Sequence, residues 1–216
     1  MKPIHLYNTL LSYFGPQGWW PARTEFEVSV GAILTQQTTW KNVEKAIKEL
    51  RKRKLLSPQT LAPTPIHQIA VLIYPTGYYR QKAKRLKSLA INFPRIQKHK
   101  KKRAIELRSE LLELNGIGKE TADSILLYAF KKPILPIDAY TLRITRRVYG
   151  VEGDYEQIRT FYESQLPRNT QLLNEFHALL VELAKNYCKS KKPLCSDCPV
   201  KRCGFHKGPY PTNKVV

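Results

Sequence analysis

The stretch Leu114-Asn115-Gly116-Ile117-Gly118-Lys119 lies between two helical patterns, and its reading decides the fold. Upstream, from Ile105, the apolar positions Leu107, Leu111, Leu112 and Leu114 recur at helical spacing; downstream the pattern restarts through Ala122, Ile125, Leu126 and Ala129. Helix, glycine-rich turn, helix is the local arrangement. The glycines let the backbone turn tightly, and the second helix opens with unpaired amides, a place that suits an anion. Taken alone, the six residues fit a phosphate-binding turn and a ligand-free helix connection equally well.

Charge favours the phosphate. Thirty-seven Lys and Arg face 17 Asp and Glu, a formal net charge of +20, which suits a polyanion. Nucleic acid and an acidic membrane both satisfy that field. No apolar run approaches the roughly 18 residues a bilayer span needs. The start, Met1-Lys2-Pro3-Ile4-His5-Leu6, lacks a long apolar stretch ending in a small-residue cleavage site. These features predict a soluble, cytoplasmic protein with no membrane partner, nucleoid-associated if prokaryotic. With 216 residues, 42% of them hydrophobic, the chain is long enough for one large unit or two small lobes.

Working outward, helix signals are dense and strand signals few. Thr24-Glu25-Phe26-Glu27 fits a capping box ahead of Val28, Val30, Ala32, Ile33 and Leu34. Trp40, Val43, Ile47 and Leu50 share one helical face, with the lysines between them turned outward. Thr64-Pro65 opens a short helix through Ile73, Pro75-Thr76-Gly77 breaks it, and another helix runs from Tyr79 to about Ile91. Lys98 to Arg103 reads as a solvated basic turn. Ala139–Tyr149 and Leu172 to about Tyr187 read as helices, with Asp154-Tyr155-Glu156-Gln157 a further capping box. The predicted fold class is all-α, without internal repeats.

Twenty residues beyond Gly118 stands Asp138, inside Leu135-Pro136-Ile137-Asp138-Ala139-Tyr140. A helix-hairpin-helix followed at this distance by an aspartate resembles the endonuclease III superfamily of DNA glycosylases, and the likeness runs from about Trp19 to Cys203. The resemblance implies two helical lobes with a DNA cleft between them: a six-helix barrel over 22–130, and a second domain formed by 1–21 and 131–216. It assigns phosphate binding to Gly116, Ile117, Gly118 and Lys119, which fixes position without reading sequence. It makes Asp138 the catalytic carboxylate that stabilises charge developing on the sugar or positions a water; read alone, Asp138 is a helix N-cap. Members that also cleave the strand carry a lysine where this chain has Glu120. A carboxylate forms no Schiff base, so the expectation is a monofunctional glycosylase acting as a monomer on double-stranded DNA that contains a damaged base.

Trp19-Trp20-Pro21, Thr35-Gln36-Gln37-Thr38 and Trp40 are similar to the 3-methyladenine glycosylase subgroup. That likeness makes Trp19, Trp20, Pro21 and Trp40 the base pocket, where aromatic faces replace the stacking an extruded base loses. It makes Gln36 the wedge that enters the duplex. Core packing is the ordinary alternative for the tryptophans, and a backbone hydrogen bond for Gln36. Arg80, Lys82 and Lys84 are candidate phosphate contacts outside this set. The rival functions are a glycosylase, or glycosylase/lyase, for oxidised or deaminated bases, and a non-catalytic DNA-binding module.

The four cysteines, Cys188, Cys195, Cys198 and Cys203, crowd one short segment, unlike a disulfide framework spread over a secreted chain. Clustered thiols in a reducing compartment read as metal ligands. Four thiolates suit an iron–sulfur cluster or zinc. The superfamily resemblance selects a [4Fe-4S] cluster, although its usual last gap is five residues and here it is four. Lys191, Lys192, Lys201 and Arg202 surround the loop and are placed to meet phosphate.

Overall fold

A computed structural model describes residues 1–207 and the backbone of Asn213 and Lys214. The fold is all-α, apart from a two-residue parallel bridge between Val151–Glu152 and Asn213–Lys214. The chain forms two compact units: Trp20–Lys132, and Met1–Trp19 together with Pro133–Val216. Among the described residues no helix is long and apolar enough to cross a membrane.

The chain begins with α1 (Pro3–Phe14), a helix that the sequence reading leaves unassigned. Pro3 stands in its first turn, where a missing amide costs nothing, and Leu6 and Leu10 bury one face against α11, described below.

In the second unit α2 (Glu25–Leu34) is buried from Phe26 onward. Thr24 caps it, its hydroxyl accepting from the Glu27 amide at 3.1 Å. Only half of the predicted capping box forms, because the Glu27 carboxylate pairs with Arg51 and accepts from the Arg23 amide instead. Three further helices follow: α3 (Trp40–Lys52), α4 (Pro58–Leu61) and α5 (Ile66–Leu72). A 3-10 turn at Tyr74–Thr76 then leads to α6 (Tyr79–Lys98), on which α4 and α5 pack.

Helix α6 runs past the expected end at Ile91 and through Pro94. Phe93 and Ile96 extend the buried face set by Leu86 and Leu89, and their burial outweighs the lost backbone bond. Helix α7 (Ala104–Leu112) and helix α8 (Lys119–Ser124) flank the hairpin, and α8 continues as a π-helical turn at Ile125–Ala129 that packs on α2. Beneath them Arg108 and Asp123 form a two-pronged ion pair at 2.6 and 3.1 Å, with the Asp123 side chain fully buried.

The other unit gathers α1 with α9 (Ala139–Tyr149), α10 (Tyr155–Glu163) and α11 (Thr170–Asn186). Helix α11 is apolar along Phe176–Val181 and packs on both α1 and α9. The capping box at Asp154 and Gln157 is complete. The cysteine segment follows α11 and ends in a 3-10 turn at Gly204–Lys207.

Candidate functional site

Asp138 occupies the N-cap of α9 in extended backbone geometry. The approach to it is pinned twice: the Leu135 amide donates to Glu163 at 3.4 Å and the Ile137 amide to the Tyr155 hydroxyl at 3.2 Å. Its Oδ1 accepts from the Thr141 amide at 2.7 Å and the Thr141 hydroxyl at 2.8 Å. Its Oδ2 faces His177 Nε2 at 3.6 Å, and 14% of the side chain stays exposed. Burial opposes ionisation here. The His177 imidazole and the Thr141 donors outweigh it and hold the carboxyl below its usual range. Asp138 is thus a helix cap, as one reading of the sequence has it, with one oxygen used by the cap and the other turned elsewhere.

The hairpin turns at Gly116, whose φ of +82° lies in the left-handed region. A Cβ there would also collide with the Arg85 side chain, so position and conformation both require glycine. The Ile117 amide closes the turn on the Leu114 carbonyl at 3.0 Å, and the Ile117 side chain is buried. Its amide is therefore engaged within the turn rather than aimed outward. The Gly116 and Gly118 amides donate to no backbone carbonyl among the described residues. Lys119 and Glu120 are exposed at the start of α8.

Gln36 sits just beyond α2 and is tied to this hairpin. Its Nε2 donates to the Gly116 carbonyl at 3.1 Å and the Thr121 hydroxyl at 2.9 Å, while its Oε1 accepts from Arg85. Lys82 is not at the surface. It is buried, donating to the Leu34 and Thr76 carbonyls at 2.9 and 2.8 Å, and burial with the nearby Arg85 charge brings its ammonium down to about 8. That engagement removes it from the candidate phosphate contacts; Arg80 and Lys84 remain exposed.

Trp20 and Trp40 come together edge to face at 5.2 Å, and Trp20 also packs on Tyr128 at 5.1 Å. The Trp20 indole lies over Gly31, where an added Cβ would stand 3.0 Å away. Trp40 is half-buried and donates to Glu44 at 2.8 Å; Pro21 is exposed. Trp19 belongs to the other unit, edge-on to His177 with ring centres 6.5 Å apart, under the Lys185 ammonium.

The four cysteines line one hollow of about 270 Å³, together with Arg147, Tyr187, Pro193, Leu194 and Phe205. Helix α9 braces the segment: Arg143 donates to the Cys188 carbonyl at 2.8 Å, and Arg147 donates to the Cys188 sulfur and the Lys189 and Ser190 carbonyls. Among the described residues no three His, Cys, Asp or Glu side chains converge closely enough for a single ion. Four sulfurs around a hollow with an arginine N–H aimed at one of them fit a multi-atom thiolate-held group.

The sequence reading missed His177, Thr141, Arg85 and both bracing arginines. Thr141 was legible, three residues after a candidate cap. His177, one residue in an apolar helix, carried no signal of its partner.

Comparison with known proteins agrees with this geometry. Residues 30–168 match the family described as HhH-GPD superfamily base excision DNA repair protein. A putative DNA repair glycosylase of Methanocaldococcus jannaschii is 45% identical over 91% of this chain and 92% of its own. An Endonuclease III of Thermotoga maritima is 34% identical over 84% of each chain. The structure of a Helicobacter pylori 3-methyladenine DNA glycosylase bound to 1,N6-ethenoadenine superposes with a TM-score of 0.77 at 28% identity, covering 86% of this chain and 98% of that one. The chain belongs to the HhH-GPD superfamily of base excision DNA repair proteins, and it is a DNA glycosylase of that superfamily.

Proposed function

We propose that this chain is a monofunctional glycosylase that hydrolyses the N-glycosidic bond of an alkylated purine, such as 3-methyladenine, extruded from double-stranded DNA. The divided use of Asp138 carries the reading: the helix cap holds one oxygen of the carboxylate and leaves the other to act. As the C1′–N bond breaks, its electron pair leaves with the base and positive charge gathers on the sugar, where an ionised carboxylate stabilises it and takes the proton of the attacking water. An alkylated purine carries positive charge beforehand and departs neutral, so its departure needs no proton donor.

The Trp20, Trp40 and Tyr128 group supplies aromatic surface for such a base, and the similarity to the ethenoadenine-bound glycosylase supports the choice. Trp19 and Pro21 belong to the same proposed pocket. Gly116, Gly118 and Lys119 grip phosphate, with Ile117 as the buried pin of the turn. Gln36 enters the duplex by exchanging its bonds to the hairpin. Glu120 in place of an amine removes the Schiff-base route, and neighbouring Lys119 points about 100° away around the helix. Cys188, Cys195, Cys198 and Cys203 would hold a [4Fe-4S] cluster, which supplies a structural cross-link when bound.

A panel of duplexes, each with one modified base, tests the substrate. Release of 3-methyladenine without strand nicking is expected. Release of thymine glycol or uracil alone would overturn the alkylpurine reading in favour of oxidised or deaminated bases, which the likeness to Endonuclease III favours.

A further inference from the structure

His177 sits in the middle of α11 between Phe176 and Ala178, buried to 6% exposure. A lone histidine on such a face ordinarily serves as a satisfied core residue. Its placement here is more specific, because the imidazole Nε2 points at Asp138 Oδ2. The N-cap fixes Oδ1 twice through Thr141 and leaves rotation of the other oxygen to whatever lies beside it. Trp19 stands edge-on to the imidazole, 79° between planes, and so limits its movement. We propose that His177 is a positioning residue that fixes the orientation of the Asp138 carboxylate and keeps it ionised, with Trp19 as the brace behind it.

The inference rests on the reading in which Asp138 acts on the sugar. Three elements face that carboxylate: α9 through Thr141, α10 through Tyr162, and α11 through His177. Burial pushes the Tyr162 phenol well above its usual range, and its hydroxyl is 2.8 Å from that of Thr145, so it meets Asp138 as a neutral group. Of the three, the imidazole is the one able to carry positive charge. It is also the group whose hydrogen bond and charge most favour the ionised carboxyl, against the burial that opposes it. A carboxylate that must receive a proton only after cleavage has begun gains from both effects.

The test follows the Asp138 carboxyl by carbon-13 NMR titration in the native chain, His177→Asn and His177→Gln, with base release measured alongside in single turnover. Asparagine is too short to reach Oδ2, whereas the glutamine amide reaches about as far as Nε2. In His177→Asn the Asp138 midpoint moves to higher pH and the single-turnover rate falls roughly ten- to hundredfold, as for a misplaced catalytic group; DNA affinity stays within a few-fold. His177→Gln restores part of the rate. An Asp138 midpoint equal in His177→Asn and the native chain, or equal rate losses in the two variants, overturns the inference. Undiminished release by Asp138→Asn instead sinks the catalytic reading, whatever the titration shows.

Discussion

Two aspartates fifteen residues apart in sequence, Asp123 and Asp138, show how burial divides structure from chemistry. Asp123 is fully buried and both its oxygens accept from the Arg108 guanidinium. Every lone pair that matters is committed to the fold. Asp138 commits one oxygen to the start of α9, leaves the other opposite an imidazole, and keeps part of its surface open. The first arrangement resists change, and the second is poised to act on something outside the chain.

Substituting each aspartate by asparagine separates the two roles. Asn caps a helix about as well as Asp, so Asp138→Asn is expected to keep its melting temperature within a few degrees. It loses the charge that the reaction needs, and base release should fall at least a hundredfold; a smaller loss, measured in single turnover, would erase the contrast. The same carboxyl sets an acid limit. Its midpoint is depressed by folding, so its contribution to stability is complete above the ordinary carboxylate range and disappears as pH falls through the lowered midpoint. A pH series of thermal melts should show native protein losing stability at low pH that Asp138→Asn does not lose.

Asp123→Asn strands a buried guanidinium and should cost about 3–5 kcal/mol, a drop on the order of 10 °C in a chain of this size. Replacing both partners with apolar residues should recover most of it. Failure of the pair to recover would mean that the ion pair does more than fill space.

Next in expected size is the cysteine segment. Cys198→Ser should abolish visible iron–thiolate absorption, where the native chain purified without oxygen binds on the order of four irons. Native protein loaded with zinc and no iron would reject the cluster. The smallest effect belongs to a surface charge outside both aspartates: Lys119→Ala should reduce the slope of log affinity against log salt by about 0.9, the share of one phosphate contact.

The helices and the hairpin were legible because their signals are local. Glycine spacing, a cap three residues from its acceptor, and apolar residues on one face all lie within a turn or two of chain. Helix α1 escaped because its anchors, Leu6 and Leu10, repeat only once before the chain turns. Ile91 looked like the end of α6 since it is itself exposed, and only the packing of Phe93 and Ile96 shows otherwise. Within the site, Asp138, Trp20 and Trp40 stood out by residue type and spacing. The partners of the first did not: His177 meets Asp138 across distant sequence, and no periodicity links an aspartate to a histidine on another helix. Lys82 shows the converse, a basic residue in a basic stretch that sequence places at the surface and burial reassigns to the core.

The π-helical turn at Ile125–Ala129 places a limit on the length of this chain. It accommodates one more residue than a regular turn would. Deleting a single position there would rewind the segment into ordinary helix and swing whatever follows by about 100°. Phe130, stacked on Phe93 at 5.9 Å, would then leave its slot. The stretch should therefore tolerate exchange of one aliphatic side chain for another far better than the loss of any one of its residues.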